Sequence, residues 1–394
     1  MGQRENGIKN VFLLGFVSFL NDLSSEMIMP ILPLFIAALG GKGMAVGLVG
    51  GVREGVSSLV KIASGYFSDR TGHRKRFVFL GYLNSALFKL LLGASRIWQH
   101  VLVVTGLERI GKGLRTAARD AIIAESTPLH RGRGFGIHRA FDTAGAVGGA
   151  GVALLLYWFF KLDFRAIILV AAILSFTSLI PLIFVAETRG VPQRVSFSLS
   201  IRSLSPRLRA FLLIAAIFYL ANLSYMFFIL RAQEFFSGIY PEKTANLLPI
   251  ILYIVSNAVY AAGAIPFGVL SDRVGRRRVL VSGYLLFSIT SLGFAFLQSL
   301  PAFILLFCAY GVVNAIVDAN ERAFIADLAP SHLKATALGT FHATIGVMSV
   351  IEGAAAGALW QWISPQAAFI YGAAVTGCAA WFFILFGGFL ARAN

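Results

Sequence analysis

Charged side chains recur at helical spacing inside three long apolar segments of the chain. Asp22 and Glu26 are four residues apart in the first of these segments. Another segment carries His138 and Asp142, which are also four residues apart. The third segment carries a longer series: Glu108, Lys112, Arg115 and Arg119. Because residues three, four or seven positions apart share one face of an α-helix, each segment presents one polar face that could bind a proton or a charged solute.

The composition is that of a polytopic membrane protein. Hydrophobic residues make up 57% of the chain and charged residues 13%, against roughly 25% charged residues in soluble domains. A net charge of +16 would suggest a nucleic-acid partner in a soluble protein, but these basic residues are placed where membrane topology requires them, so no nucleic acid is expected. Cys308 and Cys378 lie in apolar segments without metal or disulfide spacing, and we expect no metal and no cofactor.

Basic residues inside the apolar segments are concentrated in the first half of the chain. Ten of the 34 Lys and Arg lie in such segments, and eight of these ten are in the first half. A charge at membrane depth costs about 2.5–3.5 kcal/mol, so each should face protein or a wet cavity and be paired. The acidic residues of the first half nearly balance the eight: Asp22, Glu26, Glu54, Glu108, Asp120, Glu125 and Asp142. The first half therefore carries a charge network, and the second half is largely apolar.

Two interpretations of Asp22 and Glu26 are open. They could form ion pairs that only fix the packing of the first helix. We favour a role in proton or substrate binding, because two adjacent acids on one helix exceed what topology requires. The same predicted site includes Arg109, Lys112, Arg115, His138 and Asp142. For His138 the purely structural alternative is the stronger one, because it lies near the end of its helix.

The second half offers aromatic and amide groups instead of charges. We predict that polar side chains of helices 7, 10 and 11 line a cavity, namely Tyr219, Asn222, Tyr225, Tyr310, Asn314, Asp318 and His342. Such a lining suits a bulky amphiphilic ligand. The alternative is that they are ordinary buried residues of a phenylalanine-rich bundle. Two further acid–base neighbours, Arg231 with Glu234 and Glu321 with Arg322, are interpreted as structural pairs or gates.

Twelve apolar stretches are long enough to cross a bilayer as helices. We place them at residues 11–39, 44–67, 77–95, 99–127, 134–160, 164–186, 208–236, 244–270, 279–298, 301–328, 334–362 and 366–390. The connecting segments on one side hold 19 of the 34 Lys and Arg, and those on the other side hold 5. By the positive-inside rule both termini are cytoplasmic, in a multi-pass protein of the cytoplasmic (inner) membrane. No removable signal peptide is expected.

A short polar loop after the second predicted helix returns after the eighth. The first loop contains Gly65, Asp69, Arg70, Gly72, Arg74 and Lys75, and the second contains Gly268, Asp272, Arg273, Gly275, Arg276 and Arg277. Asp272 follows Asp69 by 203 positions, and Pro330 follows Pro128 by 202. An offset near half the chain length indicates an internal repeat. The predicted division is a first bundle at 1–186, a cytoplasmic linker at 187–207 and a second bundle at 208–394.

The spacing of these loops suggests that they act as gates. Asp69 at a helix end can meet the positive end of a helix dipole, or a cation such as Arg119. Such a contact can form in one conformation and break in another. The alternative is that the loops only supply positive charge that sets the topology.

The pattern Gly-x-x-x-Asp-Arg-x-Gly-x-Arg-Lys and its repetition resemble the signature loop of the major facilitator superfamily. The resemblance covers the whole chain and implies an all-α membrane protein with twelve transmembrane helices in two six-helix repeats. It also implies that helices 1 and 4 line a central cavity with helices 7 and 10, and that the loops latch the cytoplasmic side. The stretch from Asn21 to Pro30 is similar to the prokaryotic drug-efflux-like branch of proton antiporters.

Two motifs of such antiporters are present only in part. In the helix 4 element Arg-x-x-x-Gly-x-Gly, Arg109 and Gly113 match, and Arg115 replaces the second glycine. In the helix 5 element Gly-Pro-x-x-Gly-Gly, only the final pair Gly148-Gly149 is kept. These departures weaken the antiporter assignment without removing it.

The expected function is secondary active transport of a small organic solute by alternating access, most simply proton-coupled efflux. The alternative is a proton-coupled symporter or a uniporter of an anionic metabolite, suggested by Arg109, Lys112 and Arg115. A membrane enzyme is a remote alternative because no hydrolase or metalloprotease motif occurs, and a receptor is equally remote because no stretch outside the membrane is long enough for a sensory domain. The absence of a nucleotide-binding motif argues against ATP-driven transport. The expected partners are the solute, protons and the lipid bilayer, and a single chain is expected to suffice.

Overall fold

The regular structure of the chain is helical in the computed structural model, which describes residues 2–71, 73–127, 131–187, 204–329, 333–386 and 389. No β-strand occurs within these ranges. The first seven helices are α1 (Gly2–Ile28), α2 (Leu32–Ala38), α3 (Gly43–Thr71), α4 (Arg74–Gly93), α5 (Trp98–Ser126), α6 (Arg131–Trp158) and α7 (Phe164–Thr177). The others are α8 (Leu179–Ile183), α9 (Pro206–Tyr219), α10 (Tyr225–Ser237), α11 (Glu242–Val274), α12 (Arg276–Phe296), α13 (Leu300–Leu328), α14 (Lys334–Trp362) and α15 (Pro365–Leu385).

These fifteen helices trace twelve spans, because three spans are interrupted. The interrupted spans are the first (α1 and α2), the sixth (α7 and α8) and the seventh (α9 and α10). Every predicted span after the first begins within three residues of an observed helix start. The predicted all-α fold is confirmed, whereas the prediction of continuous helices was wrong for these three spans.

Prolines and a serine account for the interruptions. Pro30 lies between α1 and α2, and Pro33 occupies the first turn of α2. Pro181 lacks the N–H that would bond back across the junction of α7 and α8. Ser224 begins α10 as its cap, because its hydroxyl accepts from the backbone N–H of Met226 at 3.5 Å. The first two breaks therefore have a local chemical cause, and in the seventh span Ser224 sets where the helix resumes.

Nine helical stretches of the described residues are long and apolar enough to cross a membrane by themselves. The 29-residue helix α5 is not among them. Its polar face explains this, because it carries the charged series that begins at Glu108. Several of these charged residues are buried within the protein, including Glu108, Arg109 and Arg115. The polar face of α5 is thus turned towards other helices.

The chain forms two compact units. Unit 1 comprises Met1–Gly40 and Val56–Phe197, and unit 2 comprises Gly41–Gly55 and Ser198–Asn394. In unit 1, α4 packs against α5 and α7, and α1 packs against α6. In unit 2, α12 packs against α13 and α15, and α9 packs against α14. These are equivalent pairs of the two repeats. The predicted boundaries at 187–207 stay a prediction, and residues 188–203 of the linker lie outside the described ranges.

Glycine permits one very close helix contact in unit 2. A Cβ atom added to Gly47 of α3 would overlap the carbonyl oxygen of Gly353 of α14. One turn later, a Cβ atom on Gly51 would lie 2.5 Å from the carbonyl oxygen of Ser349. Small residues on facing helices let the backbones approach in a membrane protein. The start of α3 is therefore packed directly on the backbone of α14.

Gly275 joins α11 to α12 in the second signature loop. Its φ angle is +95°, a conformation that residues with a Cβ atom rarely adopt. An added Cβ atom would meet nothing within 4 Å, so backbone conformation alone requires glycine here. The conserved spacing of the loop thus has a conformational reason at this position.

We expect Gly275→Ala to destabilise the protein by about 1–2 kcal/mol, because the Cβ atom of alanine is sterically strained in a backbone with a positive φ angle. Thermal unfolding in detergent measures the effect. Gly268→Ala is the matched control, because Gly268 lies inside α11 with open space around it and no positive φ angle. Equal melting temperatures for the two variants would contradict this account of the loop.

Candidate functional site

A buried hydrogen-bond cluster centres on Ser18 of α1 in unit 1. The Ser18 hydroxyl lies 2.9 Å from Nε2 of His138 and 3.0 Å from the hydroxyl of Tyr82. Arg119 donates to the same oxygen at 3.1 Å. One serine therefore connects α1, α4, α5 and α6, and it draws the predicted site residue His138 into the interior.

Asp22 and Asp142 meet beside this cluster. Asp22 of α1 interacts electrostatically with Asp142 of α6, and its Oδ1 accepts from the side-chain amide of Asn21 at 3.3 Å. Oδ2 of Asp142 lies 3.6 Å from Nδ1 of His138. The other oxygen of Asp142, Oδ1, is buried and accepts no hydrogen bond from any described residue. Two predicted acids thus influence each other electrostatically, and one of them keeps an acceptor without a hydrogen bond from a described residue.

Three cations of α5 act on this acidic pair. Arg115, Lys112 and Arg119 each interact electrostatically with Asp22. Arg115 is anchored by a 2.6 Å hydrogen bond to the hydroxyl of Ser85. Its guanidinium carbon also lies 4.6 Å from the ring centroid of Tyr82, a distance typical of a cation–π contact. The helical spacing predicted from the sequence therefore brings these side chains to one place.

Two predicted members lie outside this cluster. The Nε atom of Arg109 is 3.3 Å from the carboxylate of Glu108, and its Nη2 contacts the sulfur of Met29 at 3.7 Å. Glu26 lies one turn beyond Asp22, where its Cβ atom faces Gly149 of α6 at a close approach. Both residues remain on the faces predicted for them, but at a different level of the bundle.

Lys89 is a buried cation that the predicted site omitted. It lies on α4 and is 3% exposed. Its ammonium group donates to the hydroxyls of Ser24 and Ser25 at 3.0 and 2.9 Å, and more distantly to Asn21 and Ser175. The sequence signal was its position inside an apolar span. Its partners could not be predicted, because they come from helices distant in sequence.

In unit 2, Glu321 of α13 is held by two tyrosines. The hydroxyl of Tyr219 donates to Oε2 at 2.7 Å, and that of Tyr284 donates to Oε1 at 2.5 Å. Glu321 is 1% exposed, so this is an interior site. Phe218 stacks on Tyr284 with ring centroids 3.8 Å apart. Tyr219 was predicted to line a cavity, whereas its observed role is to bind this carboxyl group.

Glu321 and Arg322, which were predicted as a pair, form no ion pair with each other in the structure. Arg322 instead donates to Asp318, one turn earlier, at 2.6 Å. Tyr260 of α11 donates to the same carboxylate at 3.0 Å. Residues four apart lie on the same face of a helix, which places Arg322 beside Asp318. Asp318 therefore belongs to a half-exposed ion pair.

Of the other residues predicted to line a cavity, one lies in the break of the seventh span and the rest lie on helices. Asn222 lies in the break between α9 and α10, so it does not continue the helical spacing that was assumed from Tyr219 to Tyr225. Tyr310 bonds to Asn314 on α13. The rings of Tyr225 and Tyr253 are 5.4 Å apart, and His342 lies 5.7 Å from Phe341.

Both signature loops end in an equivalent ion pair. Arg276 of the second loop binds Asp327 of α13 at 2.6 Å and Asp272 at 3.1 Å. In unit 1, Arg74 forms an ion pair with Glu125 of α5. Arg276 follows Arg74 by 202 positions, and Asp327 follows Glu125 by the same number. The internal repeat thus extends from the sequence to its contacts.

The remaining loop residues add few contacts. The ammonium group of Lys75 donates to the carbonyl of Ile183 at 2.9 Å. Arg273 is exposed at the end of α11, and Arg277 is half-buried at the start of α12. Four predicted loop residues are not described in full. Gly72 lies outside the described residues, and the surroundings of three others are not described: Gly65, Asp69 and Arg70. Among the described residues, no group of three or more His, Cys, Asp and Glu side chains could hold a metal ion.

The repeated loop and the twelve-span arrangement lead to the same classification as sequence comparison. The profile of the Major Facilitator Superfamily matches residues 14–255 and 242–391. The chain belongs to the major facilitator superfamily. An uncharacterized MFS-type transporter of Methanocaldococcus jannaschii is 51% identical over 365 residues, which cover 92% of this chain and 91% of that protein. The chain is therefore a multi-pass membrane transporter and not an enzyme.

One further relative in sequence is more distant, and one solved structure has a similar fold. The multidrug resistance protein MdtG of Proteus mirabilis is 26% identical over 306 residues, covering 71% of each chain. The crystal structure of a mutant of the nucleoside transporter NupG has a TM-score of 0.81 at 13% identity. It covers 95% of this chain and 99% of that chain. The latter likeness establishes the fold alone.

We expect Tyr219→Phe and Tyr284→Phe each to lower the free energy of unfolding by about 1–3 kcal/mol, because each leaves an oxygen of Glu321 without its donor. Chemical or thermal unfolding in detergent provides the measurement. Tyr260→Phe is the matched control, because it removes a hydroxyl donor from the half-exposed Asp318. A loss at Tyr260 equal to that at Tyr284 would show that the buried site has no special role.

Proposed function

We propose that this transporter exports small amphiphilic organic molecules in exchange for protons, and that Asp22 and Asp142 carry the proton. The observation behind the proposal is that Asp22 of α1 interacts electrostatically with Asp142 of α6, whose carboxylate lies 3.6 Å from His138 in the Ser18 cluster. Two carboxylates at one site repel each other, and binding one proton removes that repulsion. The unused acceptor on Asp142 supports the proposal, because it offers a place for the shared proton.

The cations of α5 make proton release possible. When the proton leaves, a buried negative charge remains, and it needs compensation in an apolar surrounding. Lys112, Arg115 and Arg119 supply the opposite charge from one helix. A cationic substrate group could replace the proton in the same place. Proton and substrate would then compete for the acidic pair, which is the requirement for exchange.

The energy available from protons is sufficient for export. One proton supplies about 1.36 kcal/mol per pH unit and about 2.3 kcal/mol per 100 mV of membrane potential. A ratio of ten in concentration costs about 1.4 kcal/mol for a neutral solute, so a modest gradient concentrates a solute many-fold.

The substrate class and the outward direction rest on two further observations. Unit 2 has an aromatic interior, in which Phe228 lies 4.5 Å from Tyr310 and Tyr225 lies 5.4 Å from Tyr253, measured between ring centroids. Aromatic rings suit amphiphilic molecules with apolar bodies. The MdtG relatives, which are named multidrug resistance proteins, suggest efflux, although their identity to this chain is only 26%. The proposed location is the cytoplasmic membrane, with both termini inside and one chain as the working unit.

Transport of an anionic metabolite is the second candidate. The concentration of Arg109, Lys112 and Arg115 on one face of α5 favours it. Against it, Arg115 is already engaged by Ser85 and Tyr82, and Arg109 by Glu108. Lys112 also interacts with Asp22, and its ammonium group has no such anchor among the described residues, so it is the residue that separates the two candidates.

We expect ethidium to raise the melting temperature of the purified protein less at about pH 6 than at about pH 8, because protons compete for Asp22 and a bound ligand stabilises by RT ln(1 + [L]/Kd). Asp22→Asn and Asp142→Asn should remove this pH dependence. Glu26→Gln tests the second predicted acid of α1 in the same way.

Asp163→Asn is the matched control for this measurement. Asp163 caps α7 by accepting from the backbone N–H of Ala166 at 2.8 Å, and asparagine can make the same cap. Its ligand response should equal that of the wild type. An unaltered pH dependence in both Asp22→Asn and Asp142→Asn would refute the assignment of the proton site.

We expect Lys112→Gln to preserve or strengthen the response to ethidium, because it removes a positive charge near Asp22. Benzoate should not stabilise the wild type. If benzoate stabilises the wild type in a dose-dependent way and Lys112→Gln abolishes that effect, the anion carrier is the correct function.

A further inference from the structure

The break in the seventh span exposes backbone groups that other helices satisfy. Between α9 and α10, the carbonyl oxygen of Leu220 accepts a 2.6 Å hydrogen bond from the hydroxyl of Tyr371 on α15. The backbone N–H of Ser224 bonds to the carboxyl group of Glu352 on α14. Backbone groups without intrahelical partners must be satisfied within the protein at membrane depth. The two side chains therefore hold both ends of the break.

Glu352 is a buried carboxyl group without a cation. It is 2% exposed, and no ion pair among the described residues reaches it. Its Oε1 atom is buried and accepts no hydrogen bond from a described residue. An ionised carboxylate in such a place has one backbone donor and no opposite charge, which is expensive in an apolar interior. The neutral acid does not bear this cost.

The titratable neighbours of Glu352 are phenols. Tyr371 of α15 and Tyr310 of α13 both interact with it, and Tyr310 in turn interacts with Tyr225 of α10. The charged residues of α3 in unit 2 are Arg53 and Glu54, and neither contributes to the interactions of Glu352. Neutral phenols do not carry the positive charge that would compensate a Glu352 carboxylate. Loss of the proton from Glu352 must therefore be accompanied by a structural change around it.

We propose that Glu352 is a second proton-binding site, in unit 2, and that its proton controls the break between α9 and α10. With the proton bound, the carboxyl group accepts from Ser224 and the break is held as observed. On release, the electron pair of the O–H bond stays on the carboxyl group and the proton passes to water. The resulting carboxylate requires hydration, which the closed break does not provide, so the break must open.

This inference rests on the proposed proton coupling but involves different residues. Asp22 and Asp142 lie in unit 1, whereas Glu352 lies in unit 2 and contacts the seventh span. The close packing of α3 on α14 next to Glu352, at Gly353, makes α14 a fixed support. The mobile partner is then α10. Its cap, Ser224, donates its backbone N–H to the carboxyl group of Glu352, and its hydroxyl oxygen accepts from the backbone N–H of Met226.

Infrared difference spectra of the full-length protein at low and high pH test the site without any ligand. We expect a carbonyl band of a protonated carboxyl group that disappears at high pH in the wild type and is absent from Glu352→Gln. Glutamine keeps an acceptor for Ser224, so this variant should fold. Glu234→Gln is the control, because Glu234 is another carboxyl group of unit 2, more exposed than Glu352 and bound to the indole N–H of Trp360 at 3.2 Å. It should retain the Glu352 band.

Hydrogen exchange of the peptide that covers residues 219–228 tests the control of the break. After correction for the intrinsic pH dependence, exchange in the wild type should be faster at high pH, and in Glu352→Gln it should be slow and equal at both pH values. Tyr371→Phe, which removes the partner of Leu220, should speed exchange at both pH values. Exchange in Glu352→Gln that still responds to pH as in the wild type would overturn the proposal.

The two proposals fail separately. If the ethidium response loses its pH dependence in Asp22→Asn while the infrared band of Glu352 is missing from the wild type, proton coupling stands and the second site is refuted. If the Glu352 band and the exchange response are present while Asp22→Asn and Asp142→Asn change nothing, the second site stands and the first assignment fails. Glu352→Asp, which keeps a titratable group, should restore a pH-dependent exchange response.

Discussion

A polar group inside an apolar membrane segment must find its partner within the protein, and this requirement governs the whole structure. It explains why Arg115 and Arg119 of α5 contact polar groups of α4 and α1 rather than lipid. It also explains why Glu321 is enclosed by two hydroxyl donors. Where a helix is broken, the same requirement brings side chains of other helices to the backbone. Both the fold and the polar sites therefore reflect the free-energy cost of an unsatisfied polar group at membrane depth, which the elements reduce by different contacts.

Much of this arrangement follows from sequence because it depends on local periodicity. Length and hydropathy give the spans, and spacings of three and four place Asp22, Arg115 and His138 on faces that do meet. The break at Asn222 could not be predicted in this way, because Tyr371 and Glu352 support it from helices more than a hundred residues away. Glu321 was misassigned because its neighbour in sequence, Arg322, points to Asp318. Partners across helices carry no periodic signal.

The two halves share a framework and differ in chemistry. The pairs Arg74 with Glu125 and Arg276 with Asp327 occupy equivalent positions, and equivalent helices pack together in each unit. Within this framework, unit 1 concentrates cations and carboxylates, whereas unit 2 encloses single carboxyl groups with tyrosines and phenylalanines. A duplicated scaffold has therefore kept its structural contacts while its interior polar groups have diverged. Under the proposed function, proton exchange and apolar recognition would belong to different copies.

The polar face of α5 has a consequence for biogenesis. A helix that is not apolar enough to enter the bilayer alone must enter together with neighbours that cover its charges. Ser18 and Tyr82 belong to helices made before α5, whereas His138 and Asp142 are made after it. Arg119 and Arg115 can thus be covered in part as soon as α5 is synthesised, and fully only when α6 arrives. Substitutions in this cluster should lower the amount of protein inserted as well as its activity, and the two effects need to be measured separately.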